Sequence, residues 1–193
     1  METSKEREQD VPSNILEKGI IYFFTRARVN EDHPESAQDL QRSYFVLRPL
    51  SKGAEITNGP IEDSKTARLV ALPKKVFPKA SGRDKYLTFV EKVNCSMDDL
   101  KSSFFSGNEY STATAGVSHT PPVTPVGEGV YAITSIGRDS HFAYMLTIPS
   151  EAGEVQEELG IRSRASYIIS MRNPTTPAPK GQALPASPDY PKE

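Results

Sequence analysis

Two strand-like runs, Val130 to Ile136 and His141 to Ile148, flank Gly137-Arg138-Asp139, and this pairing constrains the fold more than anything else in the chain. In the second run His141, Ala143, Met145 and Thr147 share one face while Phe142, Tyr144, Leu146 and Ile148 share the other. That is the period of a strand with one side in a core. Two such runs around a short glycine-containing connection predict a hairpin, and therefore an antiparallel sheet. The preceding stretch, His-Thr-Pro-Pro-Val-Thr-Pro-Val-Gly-Glu-Gly (119–129), reads as a stiff extended arm ending in a turn hinged on Gly127 and Gly129. A short acidic helix follows from Glu154 to Leu159, with Val155 and Leu159 pointing inward and Gly160 closing it. A further strand spans Ser166 to Arg172.

Upstream, Ile20 to Val29, Ser43 to Arg48 and Ala67 to Leu72 are dense in β-branched and aromatic residues, and the last two stop at Pro49 and Pro73. Residues 30–41 and 51–66 carry turn signals and read as loops. Tyr86, Phe89, Val90 and Val93 recur at helical spacing, predicting a helix over Asp84 to Val93. Ser96 followed by Asp99 predicts a second helix start, running to about Phe105 and ending at Gly107. Glu109 to Ala115 reads as a polar strand. Residues 1–18 are mostly polar and expected to be disordered. The tail from 174 to 193, with its six prolines, should be extended and laid back across the domain through Tyr190, a disordered tail being the alternative. Between them, residues 19–173 predict a single α+β domain. In it a curved, mostly antiparallel sheet or partial β-barrel packs against two to three helices.

The 193 residues suffice for one core, and a net charge of −2 argues against a generally nucleic-acid-like or membrane-binding surface. The single cysteine, Cys95, cannot form an internal disulfide, which favours a reducing compartment. It reads as a small apolar residue near a helix start. No apolar run is long enough to span a bilayer, and the charged N-terminus lacks a signal core. The expectation is an intracellular protein, cytoplasmic or nuclear, with no membrane association. No metal-ligand spacing is present, so neither a metal nor a cofactor is predicted. Gly127-Glu128-Gly129 lacks the ending of a phosphate loop and leads into a strand.

The candidate ligand-binding residues are cationic and aromatic. Lys65, Arg68, Lys74, Lys75, Lys79, Arg83 and Lys85 form a basic stretch, and Arg26, Arg28, Arg42 and Arg48 on neighbouring strands would extend it into one face. Tyr131 adds a stacking surface, and Arg138 lies in the hairpin connection beside Asp139, Ser140 and His141. The plain alternative is a solvated lysine loop balanced by acidic segments. His119, held before Thr-Pro-Pro, and His141 are the only catalytic candidates, as acid or base. A loop-edge histidine bonded to backbone and a surface histidine are the ordinary outcomes. Asp139, Ser140 and His141 hold triad residue types, but adjacent strand residues point to opposite faces.

Several segments together resemble a group of uncharacterised proteins of filamentous fungi, with related bacterial proteins. These are Gly-Ile-Ile-Tyr-Phe-Phe-Thr-Arg-Ala-Arg-Val (19–29), Asp-Leu-Gln-Arg-Ser-Tyr-Phe-Val-Leu (39–47), residues 119–131, Tyr-Ile-Ile-Ser-Met-Arg-Asn-Pro (167–174) and Pro-Asp-Tyr-Pro-Lys-Glu (188–193). Some fungal members carry the label "BTB domain transcription factor". The label implies a helix-rich dimerisation fold, whereas the residues read strand-rich and contain no zinc finger, basic zipper or helix-turn-helix. The resemblance transfers no site residues.

The functional expectation is a non-enzymatic binding module for an anionic ligand, nucleic acid or a protein partner. One alternative is a small enzyme using His119 or His141 on an anionic substrate. Another is a dimerisation or scaffold protein associated with transcription.

Overall fold

A computed structural model describes residues 15–51, 62–78, 85–113, 116–136 and 139–172. In chain order the elements are β1 (Ile15–Ala27), β2 (Leu40–Pro49), β3 (Ala67–Ala71), β4 (Lys85–Cys95) and α1 (Met97–Leu100), which runs into a π-helical turn (Lys101–Phe105). Then come β5 (Asn108–Thr112), β6 (Gly116–Thr120), β7 (Val123–Ile136), β8 (Asp139–Ile148), α2 (Glu154–Glu158) and β9 (Arg164–Arg172). Seven strands close into a barrel in the order β1-β2-β3-β4-β9-β8-β7, while β5 and β6 form a separate ribbon. Every neighbouring pair is antiparallel except β4 with β9, which run parallel from Lys85↔Ile168 to Phe89↔Arg172.

Side-chain alternation sorts the barrel into two cores. Ile21, Phe23, Phe45, Leu47, Val70 and Phe142 fill the interior. Their neighbours Phe24, Tyr44, Val46, Leu69 and Ala71 point outward, where Leu100 and Phe104 cover them. The Phe104 ring stands edge-on to Tyr44 at 4.8 Å and to Phe24 at 6.3 Å. Strand β2 is therefore apolar on both faces from Tyr44 to Leu47, since one face sees the barrel and the other sees α1. Ser96 starts α1 as read from the sequence: its hydroxyl accepts from the Asp99 N–H, and the Asp99 carboxylate accepts from the Ser96 N–H.

The two ends of the barrel are closed differently. At one end Phe77, Leu159 and Ile161 cap the interior. The Phe77 N–H donates to the Leu159 carbonyl at 2.8 Å, and Phe77 packs edge-on against Phe23 at 5.4 Å. Gly160 makes this cap with φ of 72°, a conformation that favours glycine, and a Cβ there would meet the Phe77 carbonyl oxygen at 2.7 Å. The opposite end is closed by polar side chains, described below.

The structure corrects several sequence expectations. The helix expected over Asp84 to Val93 is not found in its described part, since Lys85 to Cys95 is strand β4. The same residues also satisfy a period of two, with Tyr86 and Val90 packing on the interior core and Thr88 fully buried. Pairing with β3 and β9 decides between the two patterns, because strand preference is set by neighbours more than by local propensity. Gly127-Glu128-Gly129 is not a turn either, since β7 runs unbroken through it. Gly129 is required there by close approach, as a Cβ would collide with the Met145 carbonyl of β8. Strand β1 begins at Ile15, four residues before the expected domain start at Gly19. Ile148 and Val155 were expected inside but are 63% and 55% exposed. The hairpin connection at Gly137 and Arg138, the tail from 173 and the basic positions Lys79 and Arg83 lie outside the described residues.

Candidate functional site

The expected basic face divides. Arg26 and Arg48 both point away from the barrel interior, but in the β1–β2 register Arg26 lies opposite Arg42 and Arg48 opposite Ile20. Six residues of strand separate them, about 20 Å. Arg26 sits 5.2 Å over the Phe104 ring and donates from Nη2 to the Phe104 carbonyl, so its charge anchors the π-helical turn. Arg42 instead meets Glu91 at 3.2 Å; burial pushes the Glu91 carboxyl upward, against the pull of Arg42 and Arg26. Arg28 is exposed in the loop after β1, where its N–H donates to the Asp39 carbonyl. Arg68 turns into the barrel, and Lys75 Nζ donates to the Gln38 carbonyl at 2.6 Å. Arg138 lies outside the described residues.

The histidines are also separated. His119, on β6, contacts Asp32 through Nε2 at 2.7 Å, and its backbone exchanges hydrogen bonds with Asn30. His141, on β8, pairs with Thr134 of β7. From Val123, just after His119, to Thr134 is about 35 Å of strand, so the two rings cannot serve one site. The His119 contact latches the β5–β6 ribbon to the loop after β1. Cys95 is buried, and burial raises its thiol pKa, which keeps it a poor nucleophile. Among the described residues no group of three His, Cys, Asp or Glu is placed to hold a metal ion. No helix there is long and apolar enough to cross a membrane.

Tyr131 is not an exposed stacking surface. It is 3% exposed inside the barrel, where its hydroxyl donates to Glu17 Oε1 at 2.6 Å while Glu17 Oε2 meets Arg68 Nη2. Burial and the Glu17 carboxylate raise the Tyr131 pKa. Burial opposes the Arg68 charge, but Glu17 and Tyr131 override it and hold the guanidinium above its ordinary pKa. This closed network plugs the end of the barrel opposite Phe77. The sequence reading missed it because Glu17 lay in the segment expected to be disordered.

A second feature stands on the outer surface. An apolar groove of about 700 Å³ runs between β1, the first half of β7 and α2. Tyr22, Phe24, Pro125, Val126, Ile148 and Val155 line it. Its shape comes from irregular pairing: β7 carries an extra residue, Val126, opposite Phe23/Phe24, and β8 carries one, Thr147, opposite Glu128/Gly129, which re-aims side chains along the wall. Gln156 Nε2 donates to the Val126 carbonyl at 2.8 Å, fixing α2 as the opposite wall. Among the described residues of the lining, Glu128 is the charged one. Apolar side chains exposed together in a groove are the usual mark of a contact surface, unlike scattered surface leucines. No family model, curated protein or solved structure matches this chain.

Proposed function

We propose that the protein is a non-enzymatic binding module whose groove receives an extended apolar segment of a protein partner, flanked by lysine or arginine. The observation that carries this reading is the pair Ile148 and Val155. Each sits where the sequence pattern points inward, yet each is more than half exposed on the same groove. Positions where sequence patterning fails are where function tends to override packing. The basic flanks follow from Glu128, whose carboxylate lines the groove. The arginines expected to hold an anion have other partners: Arg26 is tied to Phe104 and Arg68 to Glu17. Salt-steep nucleic-acid binding lost in Arg28→Ala would favour the earlier reading instead.

Selection of random peptides on the full chain tests the proposal. Enriched sequences should hold two or three apolar residues between basic ones. Ile148→Asp and Val155→Asp should each weaken the selected peptides about tenfold or more, because apolar burial is lost and a carboxylate must be desolvated in its place. Enrichment of acidic peptides, or selected peptides that bind both variants as well as wild type, would overturn it. Concentration-dependent self-association lost in the same variants would make the occupant a second copy of this chain, as the scaffold reading expects.

A further inference from the structure

A larger cavity, about 960 Å³, lies on the other side of α2 from the groove, within the usual range for small-ligand sites. Its lining includes the apolar residues Phe77, Met145 and Leu146, of which Met145 is exposed and the other two are buried. Glu151, Glu157 and Glu158 stand on its lining, and so do Arg162 and Arg164. Among the described residues no ion pair joins these acids to these arginines, although they face one space. Glu158 Oε1 accepts from the Ala37 N–H at 2.7 Å, whereas Glu151 and Glu157 have no hydrogen-bond partner for their carboxylates among the described residues.

The backbone under the arginines is fixed. The Leu146 N–H donates to the Ser163 carbonyl at 2.9 Å, and the Ala152 N–H donates to the Ser163 hydroxyl at 3.1 Å. The Arg162 N–H donates to the Tyr144 hydroxyl at 3.1 Å. Both arginines are thus carried on a segment pinned to β8 and to the loop before α2. Opposite charges that could neutralise one another, but instead border the same partly apolar space, suit a ligand carrying both charges itself.

We propose that this cavity binds a small zwitterion with an apolar body, of the amino-acid or dipeptide class. Its ammonium faces Glu151 and Glu157, its carboxylate faces Arg162 and Arg164, and its side chains lie on Phe77, Met145 and Leu146. The site is independent of the groove: one lies on each side of α2, and neither requires the other to be occupied.

The test uses the full chain and the dipeptide leucyl-leucine, titrated by calorimetry or by amide chemical shifts. Saturable binding is expected, with the N-acetylated and the C-amidated dipeptides each at least about tenfold weaker, since each loses a charge-assisted contact. Glu157→Gln should weaken the free dipeptide while barely changing the N-acetylated one, and Arg164→Gln should show the mirror pattern with the amide. Thermal unfolding of both variants at the wild-type temperature would confirm that these surface changes leave the fold intact. Absence of saturable binding would overturn the proposal. So would equal affinity for free and blocked dipeptides, which would make the cavity merely apolar, or insensitivity of the free dipeptide to either substitution.

Discussion

The two ends of the barrel solve the same problem, closing a packed interior, with opposite materials. At the Tyr131 end the closing groups are polar and contact one another: Tyr131 donates to Glu17, and Glu17 meets Arg68. At the Phe77 end the closing groups are apolar, Phe77, Leu159 and Ile161. Charges there are left outside the closure, with Glu151, Glu157, Arg162 and Arg164 all lining one cavity and Ile148 and Val155 exposed nearby. The difference separates two uses of polar residues. Where charges meet within the fold they hold it together. Where they border a common space without meeting, they remain available to something else.

The largest effect expected among the polar contacts concerns the plug. Glu17→Ala leaves the Arg68 guanidinium and the Tyr131 hydroxyl half-buried without their acceptor, and should cost about 1–3 kcal/mol by chemical denaturation. Replacing both members by apolar residues, Glu17→Leu with Arg68→Met, should recover most of that loss, because a buried pair contributes little beyond a well-packed isostere. If Glu17→Ala is silent, the plug is only a surface pair and the two ends are not different in kind.

The plug end also responds to alkali. Burial, reinforced by Glu17, raises the Tyr131 pKa, so the fold favours the neutral phenol. Its contribution is whole below the unfolded value near pH 10 and fades as pH climbs toward the folded value. Burial raises Tyr86, Tyr144 and Tyr167 in the same direction. Ultraviolet titration should therefore show these four phenols ionising together with loss of tertiary structure. Early ionisation of Tyr131 within an intact fold would contradict its place in the plug.

Much of the sheet was readable because it rests on local alternation. Phe142, Tyr144 and Leu146 point inward as their period predicts, and β2, β3 and β9 fall within a few residues of expectation. The α1 start was readable for a similar reason: the Ser96–Asp99 box closes within four residues. What stayed hidden depends on partners distant in sequence. Tyr86 to Val93 fits a helix until β3 and β9 flank it, and Gly129 signals a turn until the Met145 carbonyl packs against it. The candidate sites were hidden for the same reason. Glu17, Arg68 and Tyr131 lie on three strands, and nothing local marks Ile148 and Val155 as exposed.

Between the ends, the α1 cover offers an intermediate case. Ser96→Ala removes one side of the capping box and should lower stability by about 1 kcal/mol in denaturant melts, without changing either end. Dipeptide affinity that fell in step with that loss would mean the Phe77 end is coupled to the outer core, and the two regions could not be treated separately.

The smallest effect expected is the most discriminating. Val155 lies on α2, 55% exposed, facing the groove rather than the core. If its role is contact with a partner, Val155→Ser should move stability by no more than about 0.5 kcal/mol, as ordinary surface positions do. The same substitution should weaken groove-selected peptides several-fold, since a serine side chain recovers little of the apolar burial that valine provides. Leu159, four residues on and buried in the cap, supplies the contrast within one segment: Leu159→Ala should cost about 2–5 kcal/mol. A Val155→Ser variant that loses comparable stability would show valine to be packing inward in solution, and the exposed face of α2 would then belong to the closure of the barrel, as Phe77 and Leu159 do.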